Sequence, residues 1–393
     1  MAPEMDDILG ICLRALTWAR ERDYTGWEKH DGLNSPVLQA IFGWGKWPRI
    51  LAIQGVMRFP VNLRPFLGIR KHRNPKGIAL FARAWLNLHQ VTGDTDHLLE
   101  ARRLLDWLLE TPAGGGWPGM AWGYPYPWQD PGFFAPSGMP NRIVTYFVGR
   151  SLLHGFEATA EETYLAGARK AVEFILTAPR VLEETQETLC LSYVPAEGMN
   201  MAVVDVPALC GSLCAMVGLR TGERVLVKEA GRLMNWVAQR QTGYGAWYYT
   251  DPPGDSHITH DNYHTGEIVD SFLEYGRYSG DGSHTSAYSR GLAFYSNNLF
   301  TAQARPKWMH DREFHYDAHG YAQGIITHTL AGDRKTALRV ARAALEDLWD
   351  ETSGRFFYQR RRGFTKRTTF MRWCQAWLTF ALSGLLPALS PSS

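Results

Sequence analysis

Over residues 333–349, Leu338, Ala341, Leu345 and Leu348 recur at steps of three and four between charged residues, the spacing of a helix with one wet face. The same amphipathic pattern predicts helices over about 5–22, 97–109, 162–177, 223–240 and 284–300. Between these lie segments at about 76–91, 141–157, 205–220, 262–279, 316–330 and 370–385 that are apolar nearly all round, DVPALCGSLCAMVGL (205–219) being the plainest. A helix without a wet face is buried on every side. Six amphipathic and six apolar helices in strict alternation predict an all-α fold, a closed double ring of antiparallel helices or (α/α)6 barrel, as one domain over residues 1–393.

The links from an apolar to an amphipathic helix are short and share one chemistry: Thr92-Gly93-Asp94, Thr221-Gly222-Glu223, Ser279-Gly280-Asp281 and Ala331-Gly332-Asp333. Glycine at positive φ ends one helix and the acidic residue opens the next. The opposite links are long, at about 23–75, 110–140, 178–204, 241–261, 301–315 and 350–369. Loops of that length usually bind or catalyse. Alternation gathers all of them at one rim, together with the N-termini of the apolar helices and their unpaired N–H groups.

Polar residues mark those N-termini: Asn74 and Lys76, Asn141 and Arg142, Asp205, then Asp261, Asn262, Tyr263 and His264, then Asp317 and His319, and last Arg372. One capping side chain serves a helix start. HDNYHTG (260–266) holds more hydrogen-bonding chemistry than that, and the surplus is expected to face the barrel mouth. Asp205, ahead of Val206-Pro207, reads as an N-cap and a second-rank candidate for chemistry. Asp261 and Asp317 are expected to form the carboxylate pair of a glycosidase, one protonated to assist the leaving oxygen and one ionised to activate water or attack carbon. Asp31 and Asp130 are further rim carboxylates, with Asp251, Asp255, Asp311 and Glu313 farther out. Tyr263, His264 and His319, with Tyr321, Arg142 and Arg372, would equally serve an elimination or epimerisation beside a carboxylate, which needs a base and a cation to steady the enolate.

Aromatic residues make up 13% of the chain, with 15 Trp, and they crowd into the long loops. GGGWPGMAWGYPYPWQDPGFF (114–134) sets Trp117, Trp122, Tyr124, Tyr126 and Trp128 among Gly and Pro; GYGAWYYTDPPGD (243–255) adds Trp247, Tyr248 and Tyr249, and Trp308 stands alone. Rings in such loops suit stacking on sugars. The expected catalytic residues are therefore Asp261, Asp317, His264, His319 and Tyr263. The expected substrate contacts are Asp31, Asn34, Trp122, Tyr124, Trp128, Asp130, Asn141, Arg142, Trp247, Asn262 and Arg372. The basic run RRRGFTKR (360–367) reads as a solvated hairpin whose rim position suits an acidic saccharide.

A net charge of +2 leaves no electrostatic footprint for nucleic acid. Five cysteines lack metal spacing and read as reduced thiols, Cys210 and Cys214 as small core residues on one helix face. His310 and His315 beside Asp311 match no metal motif, so neither metal nor cofactor is expected. MAPEMDDILG is acidic where a secretory leader is basic, no apolar run reaches a membrane span, and the expected location is cytoplasmic.

GWEKHDGLNSP (26–36), NLRPFLGIRKHRNPKGIALF (62–81), WGYPYPWQDPGFF (122–134) and HDNYHTGEIVD (260–270) together resemble a bacterial and archaeal family found among polysaccharide-biosynthesis proteins, within the six-hairpin glycosidase-like superfamily. The resemblance implies the barrel and points to Asp31, Asn34, Asp261, Asn262 and His264 as motif residues. NPKGIALFARAWLNLHQVTGD is similar in layout to the helical domain of glucuronyl C5-epimerases, but no matching catalytic signature follows it. The functional expectation is a carbohydrate-active enzyme on a poly- or oligosaccharide, in the first place a glycoside hydrolase. The alternatives are a lyase or C5-epimerase on a uronic acid polymer, and a non-catalytic glycan-binding or assembly factor.

Overall fold

The alternation of wet and dry helices is what the fold is made of. The structure, a computed structural model, describes residues 3–196, 199 and 201–389; Met1 and Ala2, which head the stretch read for a leader, lie outside them. In chain order the helices are α1 (Pro3–Arg20), α2 (Pro36–Phe42), α3 (Lys46–Arg58), α4 (Pro75–Thr92), α5 (Thr95–Glu110), α6 (Arg142–Thr159) and α7 (Glu162–Thr177). They continue with α8 (Asp205–Thr221), α9 (Arg224–Ala238), α10 (Asn262–Ser279), α11 (Thr285–Asn298), α12 (Ala318–Leu330), α13 (Arg334–Leu348) and α14 (Trp377–Leu389), the last entered through a π-helical turn, Met371–Ala376.

The apolar helices α4, α6, α8, α10, α12 and α14 each pack on the next, and α14 packs back on α4, so the inner ring closes. Outside it, α5, α7, α9, α11 and α13 pack on the helix before them and α1 packs on α14. This is the (α/α)6 barrel. One contiguous apolar core runs from Met5 to Leu389, and all five cysteines are free and buried.

The short links behave as their chemistry requires: Gly93, Gly222, Gly280 and Gly332 sit at φ of 70°, 73°, 73° and 80°, where a Cβ would be strained. Asp94 and Asp333 cap α5 and α13 by accepting from the backbone N–H of Asp96 and Thr336. Asp281 and Glu223 differ: Asp281 accepts from Ser283 N–H, and α11 opens only at Thr285, while Glu223 stands at the N-cap of α9 without a capping bond and accepts from Arg169 instead.

The link predicted as plain loop over 23–75 holds α2, α3 and a 3-10 turn, Asp31–Asn34. No residue of α2 is buried, so it has no buried stripe for periodicity to reveal. Leu33, Ala52 and Ile53 clasp this excursion in a small core of their own. On the same rim, Gln359–Arg361 pairs with Phe364–Lys366 as a hairpin and also with Tyr316–Asp317 at the head of α12. The run 360–367 is thus a hairpin, although Lys366 is buried and donates to Met57 O. Among the described residues no helix is long and apolar enough to cross a membrane.

Candidate active site

Capping explains much of the polar chemistry at the inner-helix starts, but not all of it. Asn74, Asn141 and Asp317 each accept from a backbone N–H of their own first turn. Asp261 stands at the N-cap of α10 without making that bond. Its Oδ2 accepts instead from His264 Nδ1 at 2.8 Å. Asp205 corrects the expectation of an N-cap: the cap of α8 is Val204, and Asp205 is the first helical residue, with Oδ1 buried and unpartnered.

These helix starts form the floor of a cavity of about 880 Å³, within the range of small-ligand sites. Asp205, His264, Glu267 and His319 line it, with Lys76, Lys29 and Arg372 beside them. His319 stacks on Tyr263 (centroids 4.4 Å apart) and on Trp377 (4.0 Å), and both its ring nitrogens are buried without a hydrogen-bond partner. Its Nε2 lies 3.8 Å from Oε1 of Glu267, which is unpartnered too. Ligand atoms of Asp205, His264 and Glu267 fall within 4.8 Å of one another, so these three could hold a divalent cation. The Lys76 ammonium already acts on both carboxylates.

Burial and charge drive the two histidines apart. Burial opposes charge on His264, but Asp261 and Asp205 outweigh it and hold the imidazolium up to about 9. Burial, with Lys76, His264 and Arg372 nearby, pushes His319 well below the ordinary histidine value. Burial lifts the Glu267 carboxyl to about 7 against the pull of Lys76, and lowers Lys76 to about 7 and Lys29 to about 8. Arg372 donates to Glu28 Oε2 at 2.9 Å, and burial takes Glu28 to about 7. Because folded His264 binds its proton more tightly than the unfolded chain does, that stabilisation is complete below 6.5 and lost as pH rises to about 9. The gap in thermal midpoint between wild type and His264→Gln, read by calorimetry, is expected to shrink across that window.

Tyr124, Tyr126, Trp128, Tyr193 and Tyr249 wall the cavity, with Trp308 and Trp373. Tyr124 stacks on Tyr126 and meets Trp128 edge-on. Asp130 also lines it, and burial raises its carboxyl to about 6. Of the expected catalytic and substrate-contacting residues, Tyr263, His264, His319, Tyr124, Trp128, Asp130 and Arg372 therefore converge, and Lys76, Asp205, Tyr126, Tyr249, Trp308 and His315, also singled out from sequence, line the cavity with them.

The other expected catalytic and substrate-contacting residues do not line the cavity. Asp261 and Asp317 stand behind it: Asp317 Oδ1 accepts from Trp373 Nε1 at 2.6 Å and from His319 N–H, and its Oδ2 is 3.9 Å from Lys29 Nζ. Asp31 is buried against Arg64, and Asn34 meets His72 Nε2 at 2.8 Å. Trp122 and Trp247 are core rings whose indoles donate to Leu108 O and Val237 O. Asn141 caps α6, Arg142 is buried and donates to Leu191 O, and Asn262 bridges Leu299 O and the Tyr295 hydroxyl. His310 and His315 do not join a metal-type cluster among the described residues, His315 stacking on Trp308 instead.

Sequence reasoning passed over Glu267, Glu28 and Lys29. Glu267 lies three residues after His264, one turn deeper on the same face, and a carboxylate in the apolar run TGEIVDSF is itself a signal.

No protein-family model and no curated protein matches the chain. Solved structures do. An unsaturated glucuronyl hydrolase specific for heparin superposes with a TM-score of 0.63 over 98% of this chain and 97% of that one, at 11% identity. Cellobiose 2-epimerase from Bacillus thermoamylovorans gives 0.64 over 81% and 90%, at 11% identity. An α-mannanase from Bacteroides thetaiotaomicron gives 0.54 over 80% and 85%, at 14% identity. At these identities the likeness speaks for the fold alone, the (α/α)6 barrel.

Proposed function

We propose that the protein is a carbohydrate-active enzyme that moves a proton at a carbon next to a carbonyl or carboxylate of a saccharide, in the manner of an epimerase or isomerase. The observation that carries this reading is His319, a neutral imidazole on the cavity floor with both nitrogens buried and unpartnered. An unsatisfied buried polar group costs about 1–3 kcal/mol, a cost that a bound ligand removes. Across the Tyr263 ring stands His264, charged where His319 is not. The pair offers a proton acceptor and a proton donor to one bound molecule. His319 takes the proton from carbon, Glu267 protonates the oxygen, and Lys76 and Arg372 steady the enediol or enolate. Delivery of a proton from His264 to the opposite face, while the oxygen returns its proton to Glu267, inverts the centre. Asp261 and Asp317 act in this scheme as positioning residues, Asp261 on His264 and Asp317 on Trp373 and the His319 backbone. Sugar epimerases among the structural neighbours support saccharide chemistry of this kind. The polysaccharide-biosynthesis setting implied by the sequence motifs is part of the same proposal.

One observation favours hydrolysis as a second reading. Carboxylate oxygens of Asp205 and Glu267 lie within 4.8 Å, near the roughly 5 Å of retaining glycosidases, and burial raises both carboxyls, that of Glu267 to about 7. Incubation with neutral and uronate-bearing oligosaccharides in deuterated water separates the two. The expected result is deuterium at one saccharide carbon by NMR, absent with His319→Asn. New reducing ends without exchange would replace epimerisation by hydrolysis, and saccharide binding with neither product would leave a binding factor.

A further inference from the structure

The excursion that sequence periodicity missed carries a surface of its own. From Gly32 to Gly93 the chain has no Asp or Glu, and residues 36–73 contain seven Lys and Arg. Lys46, Arg58, Arg70 and Lys71 are exposed there; among the described residues none of the four forms a salt bridge, although Lys46 acts on the Asp130 carboxyl. Sixteen large apolar side chains are exposed among the described residues, and eight of them fall between Val37 and Phe66, which makes this a patch rather than scatter. Val37 and Ile41 lie one turn apart on α2, Trp47 and Leu51 one turn apart on α3, so each helix aims an apolar stripe at solvent. Trp44, between the helices, is 79% exposed, and Phe66 is 84% exposed. The Ser35 hydroxyl donates to Leu67 O at 2.6 Å, which sets Phe66 beside the start of α2.

Tryptophan and aliphatic residues facing outward amid unpaired Lys and Arg are the composition of an interfacial anchor on anionic lipid. We propose that this face docks on an anionic membrane surface, Trp44 and Phe66 entering the headgroup layer while Lys46, Arg70 and Lys71 pair with lipid phosphates. A second copy fits the face poorly, because it would set one acid-free basic surface against another. Nucleic acid would answer the charge but leave the apolar stripes in water. The docking is peripheral, since among the described residues no helix crosses a bilayer. α3 also bears on the cavity, through Trp47 at its edge and through Ile50, Gln54 and Met57, so a docked molecule holds its mouth next to the headgroups.

Co-sedimentation with vesicles of phosphatidylcholine alone, or with about 30% phosphatidylglycerol, tests this. The protein is expected to bind the anionic vesicles and to be released by about 0.5 M salt. Trp44→Ser with Phe66→Ser, and separately Lys46→Glu with Arg70→Glu, are expected to weaken binding at least about tenfold while leaving the thermal midpoint by circular dichroism in place. Failure of the wild type to sediment, equal binding to both vesicles, or undiminished binding of the Trp44→Ser, Phe66→Ser variant overturns the proposal. So does light scattering that shows a dimer dissociated by those two substitutions. Vesicle binding is read without saccharide, so its failure and that of the catalytic reading are independent.

Discussion

Glu267→Gln is expected to lower turnover by about 10²–10⁴-fold and to raise the thermal midpoint above pH 7. The two effects have one cause. The Glu267 carboxyl is buried on the cavity floor with Oε1 unpartnered, and burial lifts it from 4.5 to about 7. The folded chain therefore binds this proton more tightly than the unfolded one, and the stabilisation is present below 4.5 and lost as pH rises to about 7. Glutamine keeps the volume and has no proton to lose. The variant gains roughly 2–5 °C over wild type near pH 8.5, and the gain shrinks toward pH 5. Lys76, which loses a counter-charge in the variant, is itself brought to about 7 and carries little charge at the higher pH. Calorimetry at both pH values beside steady-state kinetics reads the two signs. Turnover within a few-fold of wild type would remove Glu267 from the chemistry, and a lower midpoint at pH 8.5 would overturn the raised carboxyl.

How far the sequence leads depends on what burial writes into it. The barrel was legible because an inner helix such as α8 has no wet face and an outer helix such as α13 has one, and the glycines at positive φ mark the turns between them. The α2–α3 excursion was not, because Val37, Ile41, Trp47 and Leu51 are apolar without being buried, so their spacing reports a surface and no core. At the site, the rim was readable from loop length, whereas orientation within a helix turn was not. Asp261 at the cap and His264 three residues on are bonded to each other, yet only His264 reaches the cavity. In the loop 114–134, Trp122 and Tyr124 stand two apart, and the first is core while the second is wall. Composition assigns both to a sugar platform; only packing separates them.

Asp31→Ala is expected to cost about 3–5 kcal/mol of stability, a fall of roughly 4–6 °C in thermal midpoint. Asp31 reads from sequence as a substrate contact; in the structure it is buried and does not line the cavity. Its Oδ1 accepts from Arg64 Nε at 2.7 Å and its Oδ2 from Glu28 N–H at 2.9 Å, with both side chains of the ion pair buried. Arg64 Nη2 donates in turn to Glu28 O and Lys29 O. The pair therefore fixes the segment that sends Glu28 to Arg372 and Lys29 over the Trp373 ring. Alanine at 31 strands a guanidinium out of water, and breaking a buried pair from one side is far costlier than replacing it whole. In the cycle of Asp31→Ala, Arg64→Met and the double variant, the coupling is expected to be about 1–3 kcal/mol by urea unfolding. A residue that merely touched saccharide would behave otherwise: Asp31→Ala would raise KM, leave the midpoint in place and show no coupling to Arg64.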